Sequence, residues 1–206
     1  MRFTIGLIAV NVAVFIAEII YGDAFISAFS LTPSVAFQGA WWQFLTYMFL
    51  HADYMHILLN MFALFMFGVV MERALGWKKY IFLYILSGVG SALFYMLLTG
   101  IFLPAEADVL MLGASGAVYG VLAAFGFMFP KEVIYMFPGI PLPAISAVFI
   151  FAAIELIFGL GNVMPGIANF GHLGGIITSA LIMLAWKHTS RPRTEREMRE
   201  YRFYWE

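Results

Sequence analysis

The chain reads LGASGAVYG from Leu112 to Gly120, with Ser115 between glycines where an uncharged loop enters an apolar helix. A hydroxyl at such a place is either a helix cap or a nucleophile. Serine is a favoured N-cap residue and glycine is common in membrane helices, so capping is the simpler interpretation of an isolated Gly-x-Ser-Gly. The rest of the chain therefore has to favour one role over the other.

The composition is that of a membrane protein. Hydrophobic residues make up 63% of the 206 residues and charged residues only 11%, compared with about 25% charged residues in an ordinary soluble domain. Several continuously apolar runs have the length of a membrane-spanning helix and lack the alternating polarity of β-barrel strands. We therefore predict an all-α integral membrane protein, a bundle of six transmembrane helices. The predicted spans are Phe3–Tyr21, Tyr54–Val70, Tyr80–Leu98, Ser115–Phe129, Leu142–Phe158 and Ala168–Trp186.

All eleven basic residues fall on one side of this predicted bundle. They lie before the first span, after the sixth, or in the loops that follow the second and fourth spans, and the opposite loops contain no Lys or Arg. The positive-inside rule then places both termini in the cytoplasm. The predicted membrane domain covers residues 1–188, and a charged cytoplasmic tail covers residues 189–206.

Helix depth brings polar residues of three predicted spans to one level. Ser115 lies fifteen residues before Pro130, and His172 fifteen before Lys187, at the inner ends of their spans, roughly 22 Å above the inner boundary of a ~30 Å hydrocarbon core. His56 has about the same height on the second span, and Asn60 lies one turn deeper on the same face. We expect these four side chains to share one layer of the bundle.

Glycines flank both the serine and the histidine. Gly116 and Gly120 follow the serine, while Gly171, Gly174 and Gly175 surround His172. Small residues let membrane helices approach closely, as a direct Ser-to-His hydrogen bond requires, although lipid-facing packing is an alternative explanation.

The layer could support nucleophilic catalysis. A histidine in an apolar bundle is often structural, but polar groups inside a membrane are costly and tend to mark functional sites. His172 could take the proton of Ser115 and later pass it to a leaving amine. Glu18 and Glu155, the acids within the spans, lie about one turn from outer helix ends, and we interpret both as structural. The sequence thus favours a Ser-His dyad over a triad.

The remaining polar groups suggest an oxyanion site. His56 and Asn60, with the backbone N–H of Ser115, could donate hydrogen bonds to a developing oxyanion. A metal site at His51 and His56 is the competing interpretation. We expect their five-residue separation to splay them across one helix, and the chain has no cysteine and no H-E-x-x-H pattern, so we predict no metal. We also predict no cofactor and no nucleic-acid partner.

Three motifs in this order, with this topology, resemble those of the rhomboid intramembrane serine proteases in their six-helix, prokaryotic-type form. The resemblance covers nearly the whole chain, and the combination is far more specific than any one motif. The motifs are Gly113-Ala114-Ser115-Gly116, His51-x4-His56-x3-Asn60 and Gly171-His172-x-x-Gly175.

The resemblance implies roles for these residues. Ser115 would be the nucleophile and His172 the general base, in a water-accessible cavity open to the outside of a prokaryotic-type plasma membrane. The substrate would be a transmembrane segment of another protein, cleaved near its outer end after entering past the fifth span and the loop Gly159–Gly166. The family pattern gives an oxyanion role to His56, Asn60 and the Ser115 amide, packing against the His172 ring to Tyr119, and supporting positions to Gly113, Gly116, Gly171, Gly175 and His51.

One departure from the family pattern stands in the first outer loop. The family commonly has Trp-Arg where this chain has Trp42-Gln43. We expect the change to alter how the loop is held rather than the chemistry. Two other functions stay open: a weakly active or inactive relative that binds membrane proteins for quality control, and, more distantly, a transporter, although the spans lack paired charges and broken repeats.

Overall fold

The computed structural model describes residues 1–106, 108–136, 139–163 and 168–189. It is predominantly helical, as predicted. Two short 3-10 segments, Tyr47–Phe49 and Pro104–Glu106, and one β-hairpin accompany the α-helices. The helices in these ranges are α1 (Arg2–Tyr21), α2 (Asp23–Phe29), α3 (Pro33–Phe37), α4 (Gln43–Thr46), α5 (Tyr54–Leu75), α6 (Trp77–Phe102), α7 (Ser115–Met128), α8 (Ala144–Gly161) and α9 (Asn169–Thr189).

Five helices among the described residues are long and apolar enough to cross a membrane: α1, α5, α6, α8 and α9. They correspond to five of the six predicted spans. The sixth predicted span corresponds to α7, which has only 14 residues and is therefore about 21 Å long. It is surrounded by α5, α6, α8 and α9. Its first residue, Ser115, thus stands inside the bundle.

The sequence of α7 explains its central position. Most of its residues are small or apolar and are buried. A side chain on Gly116 would collide with Ser91 of α6, and one on Gly120 would collide with Ser87 of the same helix. Larger residues face outward on the other long helices, where they form a surface suited to lipid. Examples are Ile16, Ile20, Leu58, Phe62, Phe149 and Ile157.

The predicted first outer loop, between α1 and α5, is folded into α2, α3, α4 and the 3-10 turn at Tyr47–Phe49. Two contacts join it to the loop that precedes α7. Leu31 and Met111 exchange backbone hydrogen bonds of 2.9 and 2.8 Å. Ser34 donates from its backbone N–H and its hydroxyl to the Asp108 carboxylate, both at 2.7 Å, and these bonds hold the pKa of Asp108 below its ordinary value. The two loops therefore pack as one unit next to Ser115.

The structure differs from the sequence prediction between α7 and α8. There β1 (Val133–Met136) and β2 (Ile140–Pro143) form an antiparallel hairpin. Because the chain is still extended at residues 140–143, α8 begins at Ala144 instead of at the predicted Leu142.

The boundary between the second and third predicted spans also differs from the structure, and parts of two other predicted segments lie outside the described residues. Helices α5 and α6 are longer than predicted and are separated only by Gly76, whose φ of 78° favours glycine. The predicted tail, residues 189–206, lies outside the described residues beyond Thr189, as do residues 164–166 of the loop Gly159–Gly166.

Candidate active site

The structure brings Ser115 and His172 together. Ser115 is the first residue of α7, and His172 lies in the first turn of α9. The Ser115 Oγ lies 2.7 Å from His172 Nε2, although 57 residues separate the two in sequence. A hydroxyl hydrogen-bonded to an imidazole nitrogen is the arrangement that a serine nucleophile and its base require.

Glycines make this approach possible. A Cβ on Gly175 would collide with the backbone carbonyl of Gly116, and one on Gly171 would stand 2.6 Å from the Met111 side chain. The backbones of α7 and α9 are therefore in direct contact below the Ser-His pair. This contact is the close approach that the flanking glycines led us to expect.

Gly113 shapes the backbone on the other side of Ser115. Its φ is 126°, a conformation that L side chains rarely adopt. Its N–H donates to the Tyr47 carbonyl at 3.0 Å. A Cβ at Gly113 would lie 2.8 and 2.9 Å from two atoms of the His56 ring, Cε1 and Nε2. His56 therefore lies directly against the loop that carries the serine.

Hydrogen bonding assigns the ring proton of His56. Its Nδ1 accepts the backbone N–H of Ala52 at 3.3 Å, so in the neutral ring the proton is on Nε2. Nε2 lies on the side of the ring that faces Gly113. The Asp53 side chain caps α5 by accepting the His56 N–H at 2.8 Å. His56 thus presents a fixed N–H donor next to Ser115.

Asn60 lies one turn below His56 and is buried. Its Nδ2 donates to the His56 carbonyl at 2.9 Å. In this structure the amide of Asn60 is therefore engaged within its own helix.

The expectation that His51 and His56 splay across one helix is wrong. His51 precedes α5, in the loop that ends at Asp53, so helix geometry does not set the direction of its side chain. Its ring meets the His56 ring edge to face, with the centroids 5.1 Å apart. His51 is buried, and burial is the main cause that lowers its pKa to about 4, with the nearby His56 lowering it further. Its backbone N–H donates to Glu18 of α1 at 3.0 Å. His51 therefore supports the position of His56 from behind.

Tyr119 stacks on the ring of His172. The centroids are 4.6 Å apart and the planes differ by 12°, which matches the packing that the family resemblance implies. The Tyr119 hydroxyl also donates to Glu155 Oε1 at 2.7 Å. The same oxygen lies 3.1 Å from His172 Nδ1.

Sequence order did not indicate the contact between Glu155 and His172. Glu155 belongs to α8, another helix, and we interpreted it as structural. The signal that could have found it is chemical: an acidic side chain within an apolar span needs a polar partner inside the bundle.

Gln43 occupies the place of the family's arginine and is fully buried. Its Oε1 accepts the Thr32 N–H at 3.1 Å, and its Nε2 donates to the Ala28 carbonyl at 3.4 Å. The Trp42 indole donates to the same carbonyl at 3.0 Å. In this chain the neutral amide of Gln43 ties α4 to the segments around α2 and α3.

The described part of the chain holds no cluster of three or more His, Asp or Glu side chains that could hold a metal ion.

Comparison with known proteins identifies the family. The family model described as "Rhomboid domain" matches residues 38–188. The chain belongs to the rhomboid family. It is 33% identical to "Rhomboid protease AarA" of Providencia stuartii over 90% of this chain and 73% of that protein. The prediction from the serine and histidine motifs is thus confirmed at the level of the family.

Other rhomboid relatives are longer than this chain. "RHOMBOID-like protein 4" of Arabidopsis thaliana is 35% identical over 68% of this chain and 33% of that protein. "Rhomboid-type serine protease 2" of Emericella nidulans is 33% identical over 66% of this chain and 25% of that protein. The chain therefore spans a quarter to a third of the length of these two rhomboids.

Proposed function

We propose that this rhomboid is an intramembrane serine endopeptidase that cleaves transmembrane segments of other proteins near their outer ends. The observation that carries the proposal is the 2.7 Å contact between Ser115 Oγ and His172 Nε2. A cap would need only the hydroxyl of Ser115 and the helix N-terminus. A cap needs neither the opposing histidine nor the direct contact of the two helix backbones, so both features favour a catalytic role for Ser115.

The reaction begins when Ser115 Oγ attacks the carbonyl carbon of the scissile peptide bond and gives its proton to His172 Nε2. The C–N bond then breaks, and Nε2 passes the proton to the leaving amine, which leaves an ester on Ser115. Water attacks the ester carbon and gives a proton to Nε2. Oγ leaves with that proton, so the acid product and the free enzyme are restored.

The oxyanion formed in each attack needs preorganised donors. The first intrahelical bond of α7 runs from the Val118 N–H to Ala114, so the N–H of Ser115 is among the helix-terminal donors without an intrahelical acceptor. The Nε2–H of His56 lies on the same side, against Gly113. We assign the oxyanion to these two donors, and Asn60 joins them when its amide turns from the His56 carbonyl.

The proposed membrane topology follows from helix length and charge. We assign α7 as the sixth membrane helix of a domain covering residues 1–188, with both termini and the tail 189–206 in the cytoplasm of a prokaryotic-type cell. The bias of Lys and Arg toward one side supports this orientation. Ser115, at the end of the short α7, then lies below the outer membrane surface.

The proposed substrate path passes α8. This helix packs on α7 and α9 and exposes large apolar side chains on its other face. An apolar substrate segment can lie against such a surface within the bilayer, and its outer end would reach Ser115 by passing α8 and the loop that follows it.

The test uses the purified protein in proteoliposomes with a single-span model substrate. We expect cleavage by the parent protein and none by Ser115→Ala or His172→Ala. Ser179→Ala is the matched control, since Ser179 is a buried hydroxyl of α9 outside the site, and it should cleave at the parent rate. Cleavage that persists in Ser115→Ala would overturn the proposal. Substrate binding without any cleavage by the parent protein would favour a binding or quality-control role instead.

A further inference from the structure

We propose that Glu155 is a positioning residue for His172 and an ion-pair partner that supports the Ser-His pair. The inference rests on the proposed protease function and goes beyond a Ser-His dyad. It is carried by the geometry of four side chains: Ser115, His172, Glu155 and Tyr119.

The two nitrogens of the His172 ring face different partners. Nε2 lies 2.7 Å from Ser115 Oγ, and Nδ1 lies 3.1 Å from Glu155 Oε1. The second distance is within ion-pair range, and Nδ1 makes no hydrogen bond in the structure. A proton on Nδ1, next to the carboxylate, leaves the lone pair of Nε2 directed to the serine. This is the tautomer that can act as the base.

Tyr119 fixes both members of the pair. Its ring stacks on the imidazole, and its hydroxyl donates to Glu155 Oε1, the oxygen that approaches Nδ1. The plane of His172 and the position of the carboxylate are therefore set by one side chain. If the Glu155 carboxylate only anchored α8 to α7, the oxygen that accepts the Tyr119 hydroxyl would not also need to approach His172.

Glu155 lies on the inner face of α8. The buried residues of this helix, Ala144, Ala147, Val148, Glu155 and Gly159, form one stripe, whereas its neighbours Ile154 and Leu156 are exposed. Among the described residues, His172 is the basic side chain within ion-pair distance of Glu155, and Glu155 Oε2 is buried without a hydrogen bond. An acidic side chain held in a membrane bundle in this way is unfavourable in free energy. The positive charge that His172 gains during the reaction would offset that free-energy cost.

The charges around His172 are few. Within the described ranges, the titratable groups that face it are Glu155 of α8, Tyr119 of α7 and His56 of α5. Of these, only the carboxylate can stabilise the imidazolium. Removing its charge should therefore slow the steps in which His172 carries a proton.

The experiment compares Glu155→Gln with the parent protein in proteoliposomes. Glutamine keeps the shape and an oxygen for Tyr119 but lacks the charge. We expect kcat and the rate of Ser115 labelling by a fluorophosphonate to fall about 100-fold, within the range of general-base effects. KM should stay within a factor of about three, and the acid limb of the pH–rate profile should move to lower pH. Glu155→Asp should recover part of kcat.

Glu72→Gln is the matched control for loss of a buried carboxylate. Glu72 binds the N-terminus and Thr4 at the opposite end of α5. Its variant should lower the unfolding temperature and keep the parent kcat and pH profile. Tyr119→Phe separates the two roles of Glu155, since it removes the anchoring bond while keeping the stack, and it should lose less activity than Glu155→Gln.

Failure of the protease function and failure of this inference alone give different results. A parent protein without Ser115-dependent cleavage or labelling would overturn the protease function and this inference with it. A folded Glu155→Gln protein with the parent kcat and pH profile, beside an inactive Ser115→Ala, would overturn the inference alone. Equal losses in Glu155→Gln and Tyr119→Phe, with an unmoved acid limb, would show a purely structural glutamate.

Discussion

Gly175 of α9 lies so close to the Gly116 carbonyl of α7 that any side chain would push the two helices apart. Ser115 and His172 stand directly above this contact, one on each helix. The geometry of the reactive pair thus depends on two residues that take no part in the chemistry.

Gly175→Ala should therefore reduce both stability and activity. We expect a loss of about 1–3 kcal/mol, typical of overpacking, and at least a tenfold fall in kcat because the hydroxyl and the imidazole separate. Thermal unfolding in detergent and substrate cleavage measure the two effects. Gly6→Ala is the control, since Gly6 of α1 has open space around it; a Gly175→Ala protein as active as Gly6→Ala would contradict this account.

His56→Ala should test the oxyanion donor. Loss of one preorganised donor costs about 10²–10³ in kcat, and KM should change little because the donor acts on the transition state. Steady-state kinetics with the single-span substrate gives both constants. A parent-like kcat would remove His56 from the oxyanion site.

Gln43→Ala should loosen the first outer loop. The change deletes two hydrogen bonds and leaves the Thr32 N–H without its acceptor, at a cost of about 1–3 kcal/mol. The unfolding temperature should drop, and labelling of Ser115 should persist below it. The exposed Gln38 provides the control variant Gln38→Ala, which should unfold like the parent; a Gln43→Ala protein that does the same would show that Gln43 does not hold the loop.

Acid should destabilise the fold through His51. Burial lowers the pKa of His51 from its ordinary 6.5 to about 4, so between these pH values the unfolded chain binds more protons than the folded chain. Stability therefore falls as the pH falls through this window, by on the order of 3 kcal/mol in total. Unfolding midpoints measured from pH 7 to pH 4 should fall less steeply in His51→Phe. Parallel curves for the two proteins would contradict the assignment.

The sequence predicts how far along a helix a residue lies better than which way its side chain points around that helix. Apolar run length and the count from the predicted inner ends of the helices anticipated the starts of α5 at Tyr54 and α7 at Ser115, and the level shared by Ser115 and His172. Counting residues says nothing of which way a side chain points around its helix, so the approach of Glu155 to His172 was missed.

Sequence patterns predicted the segments between the long helices less well than the helices themselves. The hairpin Val133–Pro143 was missed because its strands have only four residues each and one of them contains two prolines. His51 was counted with the second helix although it precedes Tyr54, where the predicted span and α5 both begin, so a contact with His56 became a predicted separation.

Covalent labelling of Ser115 tests the central claim most directly. The protein in liposomes is treated with a fluorophosphonate, and the modified peptide is identified by mass spectrometry. The account predicts one phosphonylated residue, Ser115, with labelling lost in His172→Ala and kept in Ser179→Ala. No adduct on Ser115 in a folded protein, or equal labelling in His172→Ala, would contradict it.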